Sequence, residues 1–286
     1  MADFKAAIVQ MRATRSIDEN VAAVSDLIRG AASAGANYVQ TPEMTNIIEL
    51  NSSGLFGTIE PEQGNRALEE FRTLARDLGI WLHIGSMSIK LESDRAANRA
   101  YLIAPSGTVT ARYDKIHMFD VDLAGGESYR ESKVYRPGDE AVLVDLPWGK
   151  LGLSICYDLR FPSLYRSLAS AGAQMLAVPA AFTRQTGKAH WHVLQRARAI
   201  ETGCFVISAA QGGDHEDGRS TFGHSLMINP WGEIIAELDH DEPGFALADI
   251  DLSEVIAARG RVPSLQNGRR FDLHSEASEQ ALRAVS

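Results

Sequence analysis

The stretch Leu151-Gly-Leu-Ser-Ile-Cys156-Tyr-Asp-Leu-Arg-Phe-Pro162 passes from an alternating apolar run, through a cysteine, to a proline. The apolar run reads as a buried strand, and Pro162 suits the first turn of a helix. The thiol of Cys156 therefore falls at a sharp strand-to-helix turn, a place where nucleophiles are presented. Unpaired N–H groups at a helix start favour a thiolate and can hold an oxyanion. The competing reading is a buried, inert thiol, because free cysteine is among the most buried residue types. Context has to decide between them.

Working outward, strands and helices alternate on both sides of this turn. A strand at 6–10, an amphipathic helix at 18–34 and a strand at 38–41 make a βαβ opening. A helix at 66–78 stops at Gly79 and feeds a strand at 80–85; strands at 99–104 and 108–113 then flank the turn Pro105-Ser-Gly107. The order recurs after the cysteine strand: a helix from Pro162, a strand at 175–178, a helix at 191–202, a strand at 205–209 and a hairpin at Pro230-Trp-Gly232. Residues recur too. Ala34-Gly-Ala36 precedes Pro42 as Ala171-Gly-Ala173 precedes Pro179, six residues on in each case. These echoes predict an α/β protein of two similar halves, offset by roughly 125 to 137 residues and packed as one domain.

Composition sets the outer bounds. The chain has 286 residues, 45% hydrophobic and 23% charged, enough for one large globular core. A net charge of −9, with no basic run or stripe, argues against nucleic acid as a partner. No stretch approaches the apolar length of a membrane span, and residues 1–8 lack the features of a secretory leader, so a cytoplasmic protein is expected. Two cysteines exclude a disulfide framework and fit a reducing compartment; Cys204, inside an apolar strand, reads as core.

Two further loops offer chemistry. Pro42 forces an extended entry to Glu43, which lies at the carboxyl end of a strand, where α/β ligand sites form; a solvated loop acid is the alternative. Lys115 follows a hairpin strand among apolar residues that can desolvate its ammonium, with a plain surface lysine as the alternative. His190 and His192 stand two apart on a helix start and point to different faces, so no metal spacing is present. A Cys-His pair using His190 or His117 would leave Glu43 and Lys115 unexplained. Neither a phosphate-binding glycine loop nor a nicotinamide fingerprint is found, so no cofactor and no metal are expected.

Thr41-Pro-Glu43-Met, Tyr113-Asp-Lys115-Ile-His117-Met-Phe-Asp120 and Ser154-Ile-Cys156-Tyr-Asp-Leu-Arg-Phe-Pro162 together resemble the nitrilase, or carbon–nitrogen hydrolase, superfamily. The resemblance spans about residues 5–272, leaving 273–286 as a C-terminal tail suited to an oligomer contact. It implies a four-layer α-β-β-α sandwich and a homodimer or larger homo-oligomer. It also implies a cysteine amidase: Glu43 as base, Cys156 as nucleophile, Lys115 and the Tyr157 N–H on the oxyanion. A second glutamate that orients Lys115 maps onto Glu131, with Glu127 close by in sequence.

Within the superfamily, residues 173–191, 195–202 and 223–232 look most like the Nit-type amidases, which act on small amides of 2-oxo acids. Deaminated glutathione is the favoured substrate and 2-oxoglutaramate the next. His192, where relatives usually carry Glu, and the Thr183-Arg-Gln185 stretch depart from the pattern. An anionic substrate calls for cations: Arg160 is the first candidate, with a structural ion pair to Asp158 as its alternative. Arg184 and Lys188, placed in a loop, are the next, with Phe182 and Thr183 lining the same pocket. Nitrile hydrolysis, N-carbamoyl hydrolysis and an inactive scaffold are the remaining alternatives.

Overall fold

The central strands of this chain, with runs at 6–9, 175–177 and 205–207, are largely apolar, which suits sheets covered on both faces. In the computed structural model, which describes residues 3–272, they form two six-stranded sheets. The expected tail at 273–286 lies outside the described residues. In chain order the first half contains β1 (Phe4–Gln10), α1 (Ile17–Ser33), β2 (Tyr38–Gln40), α2 (Ser52–Thr58), α3 (Arg66–Leu78), β3 (Trp81–Lys90), β4 (Ala96–Ile103) and β5 (Val109–Asp114). A small hairpin, β6 (Asp120–Asp122) and β7 (Ser128–Arg130), leads into the second half. There follow β8 (Leu143–Asp145), β9 (Lys150–Leu153), α4 (Pro162–Ser170), β10 (Met175–Ala177), α5 (Arg184–Thr202) and β11 (Phe205–Ser208). The chain continues with the pair β12 (Gly212–Asp214) and β13 (Ser220–Phe222), then β14 (Leu226–Ile228), β15 (Ile234–Glu237), β16 (Gly244–Ile250) and α6 (Ser253–Arg261).

The sheets have strand orders β16-β1-β2-β3-β4-β5 and β15-β14-β11-β10-β9-β8. Each has three parallel central strands, β1-β2-β3 in one and β9-β10-β11 in the other, with antiparallel strands outside them. The two halves thus repeat the same design, as the sequence echoes predicted. Both echoed hairpin turns put glycine in the left-handed region, Gly107 at φ 78° and Gly232 at φ 87°.

Local signals account for the helices. Ser16 caps α1 through the Glu19 N–H, Asn65 caps α3 through Leu68, and left-handed Gly79 ends α3. The apolar faces of α1 and α3 cover one side of the first sheet, where Val24, Ile28 and Phe71 are fully buried with Val9 and Val39. Helices α4 and α5 cover the second sheet, and the remaining two sheet faces bury Ile8, Tyr38 and Leu102 against Leu151 and Met175. The result is the α-β-β-α sandwich.

Strand β3 runs on to Lys90, past the expected end at 85, β4 starts at Ala96 rather than 99, and a third difference touches the site. Helix α5 begins at Arg184, with Thr183 as its cap, rather than at residue 191. Gly187 interrupts the helical pattern in the sequence because packing requires it: a Cβ there would lie 2.3 Å from the Phe222 ring. Arg184 and Lys188, expected in a loop, therefore stand in the first turns of a helix.

Candidate active site

The carboxyl ends of β2, β5 and β9 deliver Glu43, Lys115 and Cys156 to one cavity of about 400 Å³, a ligand-sized space. Glu43 follows Pro42 after β2, where the two halves pack closely. Gly85 has no room for a side chain: a Cβ would lie 2.1 Å from the Thr41 carbonyl oxygen, 2.4 Å from Pro179 Cβ and 2.6 Å from the Pro42 carbonyl oxygen. The two echoed prolines thus meet across a glycine, and Cys156 joins them by donating its N–H to the Pro179 carbonyl at 2.9 Å.

Cys156 begins a 3₁₀ turn, Cys156–Arg160, and holds the left-handed conformation at φ 48°, rare for a residue with a side chain. Asp158, fully buried, fixes that turn. Its carboxylate accepts the Ile155 N–H at 2.8 Å, the Tyr113 hydroxyl at 2.7 Å and the His117 N–H at 3.1 Å, and lies 2.6 Å from His117 Nδ1. Tyr113 and His117 bracket Lys115, so one carboxylate ties the cysteine turn to the lysine segment. Arg198 of α5 supports the turn from behind, donating to the Leu159 carbonyl through Nε at 3.0 Å and Nη2 at 2.8 Å.

Lys115, 2% exposed, donates to Glu43 Oε1 at 2.8 Å and to both oxygens of Glu131 at 3.0 and 2.9 Å. Asn98 of β4 bridges the two acids, reaching Glu43 at 2.9 Å and Glu131 at 3.1 Å. The second oxygen of Glu43 accepts the Ala181 N–H at 2.8 Å, and Glu131 accepts the Phe119 N–H at 2.6 Å. Glu127 is exposed and accepts only the Tyr129 hydroxyl at 3.1 Å, so Glu131 is the acid that meets the lysine.

Burial penalises each charge, and the neighbours decide the outcome. Desolvation works against the Lys115 ammonium, but Glu131 and Glu43 outweigh it and hold its pKa well above the ordinary value. Desolvation likewise opposes the Glu43 carboxylate, which Lys115, Cys156 and Asn98 nevertheless keep below the usual range. For Cys156, desolvation and the adjacent Glu43 charge both push the thiol up, beyond what Lys115 offsets. This runs against the sequence expectation that the turn favours a thiolate: burial and the Glu43 charge oppose ionisation of the sulfur.

Tyr157, Phe182 and Thr183 line the cavity with these four residues. Arg160 and Arg184 do not. Arg160 lies over the Phe182 ring, 5.3 Å from its centroid, with Nη1 3.2 Å from His190 Nδ1, and it makes no pair with Asp158. Arg184 is held by Asp214 at 3.0 Å and Asp241 at 2.9 Å. Lys188 is exposed outside the lining. The cavity's cations besides Lys115 are Arg130 and Arg219, which sequence reasoning missed, as it did Asn98. A lone amide in the apolar run 96–103 was the available signal for Asn98; an arginine after an Asp-Gly turn gave none for Arg219. Among the described residues no group of three or more His, Cys, Asp and Glu could hold a metal ion, and no helix is long and apolar enough to cross a membrane.

A two-half α-β-β-α sandwich with Glu, Lys and Cys converging at strand ends defines a nitrilase-type hydrolase. Residues 5–260 match the carbon-nitrogen hydrolase family, and the chain belongs to it. It is an enzyme that hydrolyses carbon–nitrogen bonds other than peptide bonds. A deaminated glutathione amidase of Yersinia enterocolitica is 38% identical over 272 residues, covering 94% of each chain. The crystal structure of the C. elegans NitFhit protein superimposes with a TM-score of 0.87 at 36% identity, over 94% of this chain and 66% of that longer one. An amidase of Nesterenkonia sp. AN1, with acetamide from fluoroacetamide added covalently at its active-site cysteine, has a TM-score of 0.78 at 26% identity, covering 93% of this chain and 94% of that one.

Proposed function

We propose that this chain is a cysteine amidase for small anionic amides, with deaminated glutathione as its substrate. The observation that carries the chemistry is the convergence of Glu43, Lys115 and Cys156 on one cavity, with the Lys115 ammonium donating to the Glu43 carboxylate at 2.8 Å. Glu43 takes the thiol proton as sulfur attacks the amide carbonyl, and the new oxyanion meets Lys115 and the Tyr157 N–H. The carbon–nitrogen bond then breaks as Glu43 returns the proton to the leaving nitrogen, giving a thioester and free amine. Water, losing a proton to Glu43, attacks the thioester; the carboxylate product leaves and the thiol is restored. Glu131 holds Lys115 and balances its charge throughout. The relatives' activity on deaminated glutathione supports the choice of substrate.

The test is product release from deaminated glutathione, 2-oxoglutaramate, an N-carbamoyl amino acid and a simple nitrile, with wild type and Cys156→Ala. Wild type should cleave deaminated glutathione best, and Cys156→Ala should lose at least about 10³-fold in turnover with its thermal midpoint unchanged. Turnover by Cys156→Ala would remove the cysteine from the chemistry, and preference for the nitrile or carbamoyl compound would overturn the substrate class.

A further inference from the structure

The cavity's cations differ in what they have left to offer a ligand. Lys115 directs its N–H groups to Glu43 and Glu131. Arg130 closes on both oxygens of Asp122 through Nη2, at 2.8 Å each, and gives Nη1 to the Val121 and Tyr129 carbonyls. Arg219 uses Nε and Nη2 on Asp217, at 2.8 and 2.7 Å, and its Nη1 has no partner among the described residues. The Asp217 carboxylate is itself buried, 1% exposed, so the guanidinium of this cavity-lining residue is held along one edge and has Nη1 to spare.

The segment carrying Arg219 is rigid. Its N–H donates to Asp217 Oδ1 at 3.0 Å and its carbonyl accepts the His215 N–H at 2.8 Å. The buried His215 ring lies between the Ala13 carbonyl at 2.9 Å and the Thr221 hydroxyl at 2.7 Å. Thr221 in turn bridges to Thr183, another lining residue. A guanidinium held this way loses little freedom when it binds a carboxylate.

Charge near the sulfur makes such a partner necessary. Glu43 and Glu131 outnumber Lys115 by one, so an anion entering the cavity meets net repulsion beside Cys156. We propose that Arg219 is the specificity-determining residue: its free Nη1 edge receives a substrate carboxylate and sets the preference for anionic amides. This rests on the anionic-amide reading above and names the group that would enforce it. Deaminated glutathione has a carboxylate on each side of the scissile amide, and either can be the one bound.

The experiment compares 2-oxoglutaramate, with its carboxylate on the acyl side, N-acetyl-Cys-Gly, with its carboxylate on the leaving side, and neutral butyramide. Arg219→Gln should lower the kcat/KM ratio of an anionic amide to butyramide by about 30-fold, through KM, in at least one arm. The arm that responds identifies the side bound. Arg219→Lys, which keeps the charge without the fork, should lose less. Ratios unchanged in both arms would overturn the assignment, as would an equal fall with all three amides. Calorimetric titration of Cys156→Ala with glutarate and with Cys-Gly needs no turnover. One of the two should bind at least about tenfold more weakly once Arg219→Gln is added, and affinities that stay put would again refute the role. Wild type that cleaves butyramide alone would sink the anionic-amide reading, while the titration would still decide Arg219.

Discussion

Asn98 is the least conspicuous residue of the site and one of the most constrained. Its Nδ2 spans Glu43 and Glu131, while its Oδ1 is buried with no protein partner. An amide donor shared by two carboxylates lets both stay charged beside one ammonium; an aspartate would add a third negative charge. Asn98→Ala should therefore lower kcat by roughly 10- to 100-fold with little change in KM, since it leaves two buried carboxylates short of a donor. A matched rise in KM, with kcat intact, would place Asn98 in substrate binding instead. Tyr157, Phe182 and Thr183 were legible as lining residues because each follows a strand end closely. The choice of Arg219 over Arg160 and Arg184 was not, because all three arginines sit near polar turns in the sequence and only packing shows which of them lines the cavity.

The elements carry the site through their ends rather than their middles. Strand β9 stops at Leu153, three residues before the nucleophile, and β2 at Gln40, three before the base. Asp158 ties the end of β9 to the end of β5 by holding the cysteine turn and both flanks of Lys115 on one carboxylate. Asp158→Ala leaves three buried or half-buried donors unpaired, so it should cost about 3 kcal/mol of stability in urea denaturation. At temperatures where that variant is folded, kcat should also fall, because the strained φ of Cys156 loses its anchor. A folded variant with full activity would show that the turn holds itself. Sequence patterning found the central strands and four of the helices but missed α2, α6, β16 and the short strands β6, β7, β8, β12 and β13, and it shortened α5, since Gly187 answers to Phe222 and not to helix propensity.

For the whole molecule, one buried polar pair away from the catalytic residues matters for stability. His83 and Gln40 pair across β3 and β2, fully buried; His83 Nδ1 lies 3.0 Å from the Tyr38 hydroxyl, and His83 Nε2 and the Gln40 amide have no protein partner. Burial lowers the His83 pKa to about 3. The unfolded chain, with an ordinary imidazole near 6.5, then takes up a proton between these values that the folded chain does not. Stability is complete above about pH 6.5 and falls with acidification until about pH 3, with a loss of about 2 kcal/mol by pH 5 from this group. His83→Gln should flatten that acid limb in pH-dependent denaturation, and an unaltered slope would assign the limb to other groups.

The sequence by itself determined the alternation of elements, the doubling of the halves and the loops that bear Glu43, Lys115 and Cys156. Those features are local: periodicity, proline and glycine placement and short motifs decide them within a few residues of chain. Only the tertiary structure brought in Asn98 and Arg219, left Arg160 and Arg184 outside the cavity lining, and set around the Cys156 thiol the groups that push its pKa up. These depend on burial and on charges from segments far apart in sequence. Desolvation and pairing are properties of the packed whole, and no single stretch of chain encodes them.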